Sequence, residues 1–163
     1  MRSAITALLA ALLLLPLAAS PQDEEVYDQP ERLGRLHVTA WGGTLVDLGR
    51  ESGAAGLLGG EIAWAFDSLE VGVLGQGYRL GDRARSPWAP VILARLEQHF
   101  VTRRGIDATL ALGLGAGRTQ SWVGWYQFAL GLRLGEGPLY VAAEIGFEQL
   151  DLFRLAAGVG FRL

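Results

Sequence analysis

Six ionisable residues stand at alternating positions inside otherwise apolar segments: Glu61, Arg95, Glu97, Arg133, Glu144 and Arg154. Unpaired charges in a low-dielectric space are expensive. These side chains are therefore expected to share one interior and to pair across it. Arg95 and Glu144 fall near mid-depth, with Glu61 and Arg154 toward one end and Glu97 and Arg133 toward the other. The chemistry open to such a set is a structural ion-pair network or, by the same charges, a gated path for a proton or an ion.

Other chemistry is thinly represented. The chain has 2 His and no Cys. Without Cys there is no disulfide framework, no thiolate metal site and no acylated N-terminal Cys. His37 and His99 are far apart in sequence and make a poor metal site, so neither a metal nor a cofactor is expected. Ser86 and Ser121 fall at the opposite end from both His, out of reach for a nucleophile and base. Gly113-Leu114-Gly115-Ala116-Gly117 looks like a piece of a phosphate loop, but no Lys or helix follows it. Asp107, Glu136, Glu148 and Asp151 read as scattered acids of turns or a solvated rim. Arg79, Arg83 and Arg85 read as loop cations that could meet anionic headgroups.

The elements that must position the six charges show a period of two. At the C-terminus, Phe153, Leu155, Ala157, Val159, Phe161 and Leu163 alternate with Leu152, Arg154, Ala156, Gly158, Gly160 and Arg162. Such alternation puts the two sets on opposite faces of a strand. About eight segments of this kind follow one another, each near the length a tilted strand needs to cross a bilayer. Their expected spans are 35–45, 57–67, 69–78, 91–101, 106–117, 122–134, 139–148 and 152–163. Residues 46–56 and 79–90 read as longer loops, and 67–68, 102–105 and 135–138 as short turns. An even strand count puts the start of the first strand and the end of the last on one side, and short turns then alternate with long loops.

The non-aliphatic face decides which way the barrel is turned. A soluble barrel would carry solvating polar side chains outside. Here that face is mainly Gly and Ala with a few Arg and Glu, which suits a narrow lumen that side chains fill. The aliphatic face is then the lipid face. Phe66, Phe100 and Phe161 fall near one end of their strands, and Trp88, Trp122, Phe147 and Phe153 near the other. Two such girdles are expected at two membrane–water interfaces.

Residues 1–20 read as a secretory signal peptide: Arg2, an apolar run from Ile5 to Leu17, then Ala18-Ala19-Ser20. Residues 21–33 are acidic and aperiodic and read as a flexible periplasmic lead-in. Residues 34–163 form the barrel, one domain. No apolar run is long enough for a transmembrane helix. The formal net charge of -3 argues against a nucleic-acid surface.

The expected fold is thus all-β: a single antiparallel up-and-down transmembrane barrel. Over about residues 35–163 the chain resembles the small eight-stranded outer-membrane barrels, which include the OmpA transmembrane domain and the OmpX-like proteins. The resemblance rests on strand number, alternation, the export signal and the terminal Gly158-Val159-Gly160-Phe161-Arg162-Leu163. It implies an outer-membrane location, contact with outer-membrane lipids and lipopolysaccharide, and recognition of the last strand by the barrel-assembly machinery. The expected role is structural, in surface stability, or interactional, through adhesion or an unidentified protein partner at the outer loops. An open diffusion pore needs about sixteen strands. Two other classes bear on the function. A lipid A-modifying enzyme would need a His with Ser and an acid near the outer leaflet; Gln98-His99-Phe100 does not match the His-x-Ser-Asn pattern of such deacylases, so no enzyme is expected. A periplasmic lipocalin-like carrier would turn the aliphatic face inward around a ligand.

Overall fold

The structure, a computed structural model, describes residues 35–48, 53–80, 88–103, 105–118, 121–149 and 151–163. Residues 1–34, which hold the expected signal peptide and lead-in, lie outside the described residues, as do Arg83, Arg85 and Ser86. Eight strands follow in order: β1 (Arg35–Asp47), β2 (Gly53–Phe66), β3 (Leu69–Leu80), β4 (Ala89–Arg103), β5 (Ile106–Arg118), β6 (Trp122–Leu134), β7 (Leu139–Glu148) and β8 (Leu152–Arg162). Each pairs antiparallel with its sequence neighbours, and β1 pairs with β8, so the sheet closes into a barrel. Closure leaves no free sheet edge along most of the wall, which is what a strand protein needs where no water is available for the backbone.

The alternation maps onto the two faces. Along β7, Leu139, Val141, Ala143, Ile145 and Phe147 are exposed, while Tyr140, Ala142, Glu144, Gly146 and Glu148 are buried. The same inversion holds around the wall. Ile62, Val73, Ile92, Leu114 and Leu155 are half or more exposed, whereas Arg95 and Arg154 are among the most buried side chains. A water-soluble barrel buries the first group and exposes the second.

Several strands are longer than the alternating segments expected from the sequence. Ala54, Ala55 and Gly56, expected in a loop, are in β2, paired with Val46, Leu45 and Thr44 of β1. Ala89 and Pro90 likewise open β4, and Thr102 and Arg103 extend its other end. The ladder continues because inward Leu45, Ala55 and Leu57 are nearly fully buried and pin the register beyond the point where hydropathy fades. Pro90 is tolerated in the second position of its strand, at the strand end, where Pro costs least. The joint at Asp67-Ser68 is a two-residue turn with Asp67 in the left-handed region (φ 54), a conformation Asp tolerates.

Two kinds of barrel end result. The turn end carries the joints β2–β3, β4–β5 and β6–β7 and the outer ends of β1 and β8. The loop end carries β1–β2, β3–β4, β5–β6 and β7–β8. A narrow barrel also needs strands that bend sharply. At Gly146 a side-chain carbon would meet the backbone of the adjacent β6 at Phe128 and Ala129, whereas at outward-facing Gly124 it would meet nothing within 4 Å. Gly146→Ala is therefore expected to lower stability by about 1–3 kcal/mol, as overpacking does. Gly124→Ala should stay within about 0.5 kcal/mol. Urea unfolding of the two variants in lipid vesicles checks the contrast.

Candidate functional site: the lumen

The interior is filled in tiers. At the loop end lies an apolar layer of Leu45, Ala55, Leu57, Ala89, Val91 and Leu93, continuous with Leu74, Tyr78, Trp41 and Trp125. This corrects the sequence-based expectation of a lumen lined mainly by Gly and Ala with a few charges. Alternation assigns a residue to the inner face but says nothing about how wide the lumen is at that height. Several large apolar side chains fit there because glycines stand beside them; Leu93, for one, is opposite Gly115.

Beneath that layer Glu148 is fully buried and accepts from several donors. The Gln127 amide and the Arg154 guanidinium reach its Oε1 at 3.0 and 2.9 Å, and the Trp125 indole N–H reaches Oε2 at 2.8 Å. Gln76 donates at 3.0 Å, and the Tyr78 hydroxyl also donates to Oε2. Tyr78 and Trp125 stack with centroids 5.8 Å apart. Glu148 was expected at a solvated rim; it ends β7, but β3 and β6 extend past it and enclose it. These donors satisfy both carboxylate oxygens without water.

The middle tier centres on Arg95. Its guanidinium is 3.3 Å from Glu61, 3.0 Å from Glu97 and in direct contact with Glu144. Glu144 is also 3.4 Å from Arg154. Arg95 and Arg154 lie over the Trp41 ring, 5.6 and 5.8 Å from its centroid, while the Trp41 N–H donates to Glu61 at 3.1 Å. The third tier is nearest the turn end. Arg133 lies 2.7 Å from Glu70 and 2.9 Å from Glu97. His37 and His99 approach the same Glu70 oxygen at 2.6 and 3.0 Å.

The structure thus brings Glu61, Arg95, Glu97, Arg133, Glu144 and Arg154 into one connected set, all buried. Sequence reading left out Glu70, Gln76, Tyr78, Gln127, Glu148 and both His as members. The signal was available for Glu70, Gln76 and Tyr78, whose positions are on the inner face of β3. It was weaker for Glu148, at a strand end. Asp107, also expected in a turn, is buried, 3.9 Å from His99 and 4.0 Å from Arg162. Glu136 and Asp151 are exposed, as read. No group of His, Asp and Glu among the described residues is arranged to hold a metal.

The seven aromatics expected at the two interfaces sit at or beside strand ends. Phe66, Phe100 and Phe161 are exposed near the turn end; Trp88, Trp122 and Phe147 are exposed near the loop end. Phe153 is partly covered by an edge contact with Phe147, centroids 5.7 Å apart. His37 and His99 belong to the turn end. Ser121 lies at the loop end, ten residues along β6 from Gly131, which faces Thr109 two residues down β5 from Asp107. That is roughly 33 Å of strand.

Exposed aliphatics around a packed, ion-paired interior define the class: a small closed transmembrane β-barrel. Comparison with solved structures agrees in fold. A transmembrane β-barrel designed de novo matches with a TM-score of 0.56 at 12% identity, over 80% of this chain and 97% of its own. Neisserial surface protein A matches with a TM-score of 0.55 at 14% identity, over 80% and 97%. The Yersinia pestis outer membrane protein Ail, determined in a phospholipid bilayer nanodisc, gives 0.48 at 14%, over 80% and 99%. No model of a protein family matches the chain, and no curated protein matches it.

Proposed function

We propose that this chain is a bacterial outer-membrane β-barrel protein with a plugged polar lumen. Its role is structural, in surface stability, or in adhesion and partner contact through the loop end. The observation that carries this reading is the inverted burial. Leu58, Ile62 and Leu130 are exposed at 59, 58 and 49 %, while Arg95 and Arg154 are at 2 and 0 %. That arrangement is favourable only where the surroundings are hydrocarbon. Neisserial surface protein A supports the location by likeness of fold. Outer-membrane lipid and lipopolysaccharide are the partners of the outer face, Phe66, Trp88, Phe100, Trp122, Phe147, Phe153 and Phe161 are its interfacial anchors, and the barrel-assembly machinery is the partner of the last strand.

The filled lumen supports a plug over a diffusion pore, since three tiers of side chains cross it. The outward aliphatic face leaves no ligand-lined interior for a lipocalin-like carrier. The separation of His37 and His99 from Ser121 supports a non-enzymatic role. Purified protein is expected to leave the mass of lipid A unchanged.

The test of location and fold is electrophoretic. After cell fractionation the protein is expected in the detergent-soluble outer-membrane fraction, and its mobility should change on boiling in detergent. Recovery in an aqueous periplasmic extract, with no change on boiling, overturns the reading.

A further inference from the structure

At the turn end of the lumen, groups from seven strands converge on two imidazoles. His37 comes from β1, Glu70 from β3, His99 and Glu97 from β4 and Asp107 from β5. Arg133 comes from β6, Tyr140 from β7 and Arg162 from β8; β2 presents only Ala63 and Ala65 at this height. His99 has a carboxylate on each side of its ring. Its Nε2 lies 3.0 Å from Glu70 and 3.6 Å from Glu97, and its Nδ1 lies 3.9 Å from Asp107. A neutral imidazole has one N–H and one lone pair. Placed here it would aim that lone pair at a carboxylate, with no water shell to soften the repulsion. Carboxylates on both sides of the ring favour the doubly protonated cation by charge and not by two aligned hydrogen bonds, since Nε2 has no aligned acceptor and Nδ1 is 3.9 Å from Asp107.

His37 is placed differently. Its Nδ1 is 2.6 Å from Glu70 but also 3.4 Å from Arg133. Both contacts are made at Nδ1, so His37, unlike His99, has a carboxylate on one side of its ring only among the contacts described. Tyr140 sits beside it as a ring contact at 5.9 Å and is itself held by Thr39 at 2.6 Å. Arg162 lies over the Tyr140 ring, 4.9 Å from its centroid, and 4.0 Å from Asp107. The charged groups facing His99 are therefore Glu70, Glu97 and Asp107 against Arg133 and Arg162.

We propose that His99 is a proton-binding latch: the bound proton ties β3, β4 and β5 together across the turn end of the lumen, and its release loosens that end. The inference rests on the plugged-barrel reading and adds its regulation. Release of the proton leaves Glu70, Glu97 and Asp107 facing an uncharged ring. Arg133 still holds Glu70 and Glu97, so the loss falls on the β4–β5 side at Asp107, which loosens and opens to water while the Arg95 and Glu148 tiers stay in place.

The experiment uses the full-length barrel refolded into phosphatidylcholine vesicles, followed from about pH 6 to about pH 9, across the range in which an ordinary histidine titrates and above it. At neutral pH, nitrogen-detected NMR of the imidazoles should show both ring nitrogens of His99 protonated. Denaturant unfolding should show an equilibrium constant rising up to about tenfold per pH unit where that one linked proton is released. His99→Gln should abolish this slope and His37→Gln should retain it. Adding Asp107→Asn to His99→Gln should recover part of the lost stability, because it removes a carboxylate the latch no longer balances. A singly protonated His99 ring at neutral pH, or an unchanged slope in His99→Gln, overturns the proposal. The boiling shift is read on the same samples: a barrel that shifts but has no slope sinks the latch alone, and a protein that does not shift sinks the underlying reading as well.

Discussion

Replacing Arg95 by Met is expected to destabilise the barrel by about 3–5 kcal/mol, the cost typical of removing one partner from a buried ion pair. Arg95 is the only cation within contact of Glu61 among the described residues, and it also serves Glu97 and Glu144. Met fills the volume but leaves carboxylates facing one another over the Trp41 ring. The loss arises from what is left behind and not from the net worth of the pair, since desolvation offsets much of the attraction in the intact network. A second change separates these two effects. Glu61→Gln and Glu144→Gln added to Arg95→Met remove the stranded charge and should restore most of the stability. Unfolding midpoints of the three proteins in one vesicle system make the comparison. An unchanged midpoint in Arg95→Met would mean that water reaches the tier and screens it.

Leu112→Arg should cost about 2–4 kcal/mol in a bilayer, the range for a cation on the lipid face near the midplane. Leu112 is 39 % exposed and stands between Leu96 of β4 and Phe128 of β6. In water an Arg on an exposed strand face would be nearly neutral, so the size of the effect reports the surrounding medium. The neighbouring Gly113 tests the other face. A side-chain carbon there would lie 3.1 Å from Leu93 and 3.2 Å from Gln127, so Gly113→Ala acts through lumen packing, with both neighbours giving by a few tenths of an ångström. Vesicle unfolding in bilayers of different thickness distinguishes them. Leu112→Arg should depend on thickness and Gly113→Ala should not. A Leu112→Arg barrel as stable as wild type would contradict the outward assignment of this face.

How far the sequence reaches is clear from single strands. In β5 and β7 the alternation of Leu and Ile with Gly, Ala and Glu is uninterrupted, and both strands run close to where periodicity places them. In β2 the run Gly53-Ala54-Ala55-Gly56 carries almost no hydropathy contrast, so nothing in it announced a strand. Its pairing comes from β1, with the register held by buried Leu45, Ala55 and Leu57.

The lumen divides in the same way. That Glu61, Arg95, Glu97, Arg133, Glu144 and Arg154 share the inner face follows from parity along each strand. Which oxygen meets which guanidinium does not. Partners such as Gln76 and Glu148 are 72 residues apart, and their meeting depends on the stagger between strands around the closed wall. A shift of two residues in one pair would keep every side chain on its own face yet move the tiers out of line. The sequence by itself determined the strands, their faces and the side that meets lipid, because a two-residue period is a local property of the chain. Only the tertiary structure decided which charges touch, the enclosure of Glu148 and the convergence on Glu70 and His99, because contacts across the lumen are set by barrel closure and register, which no single segment contains.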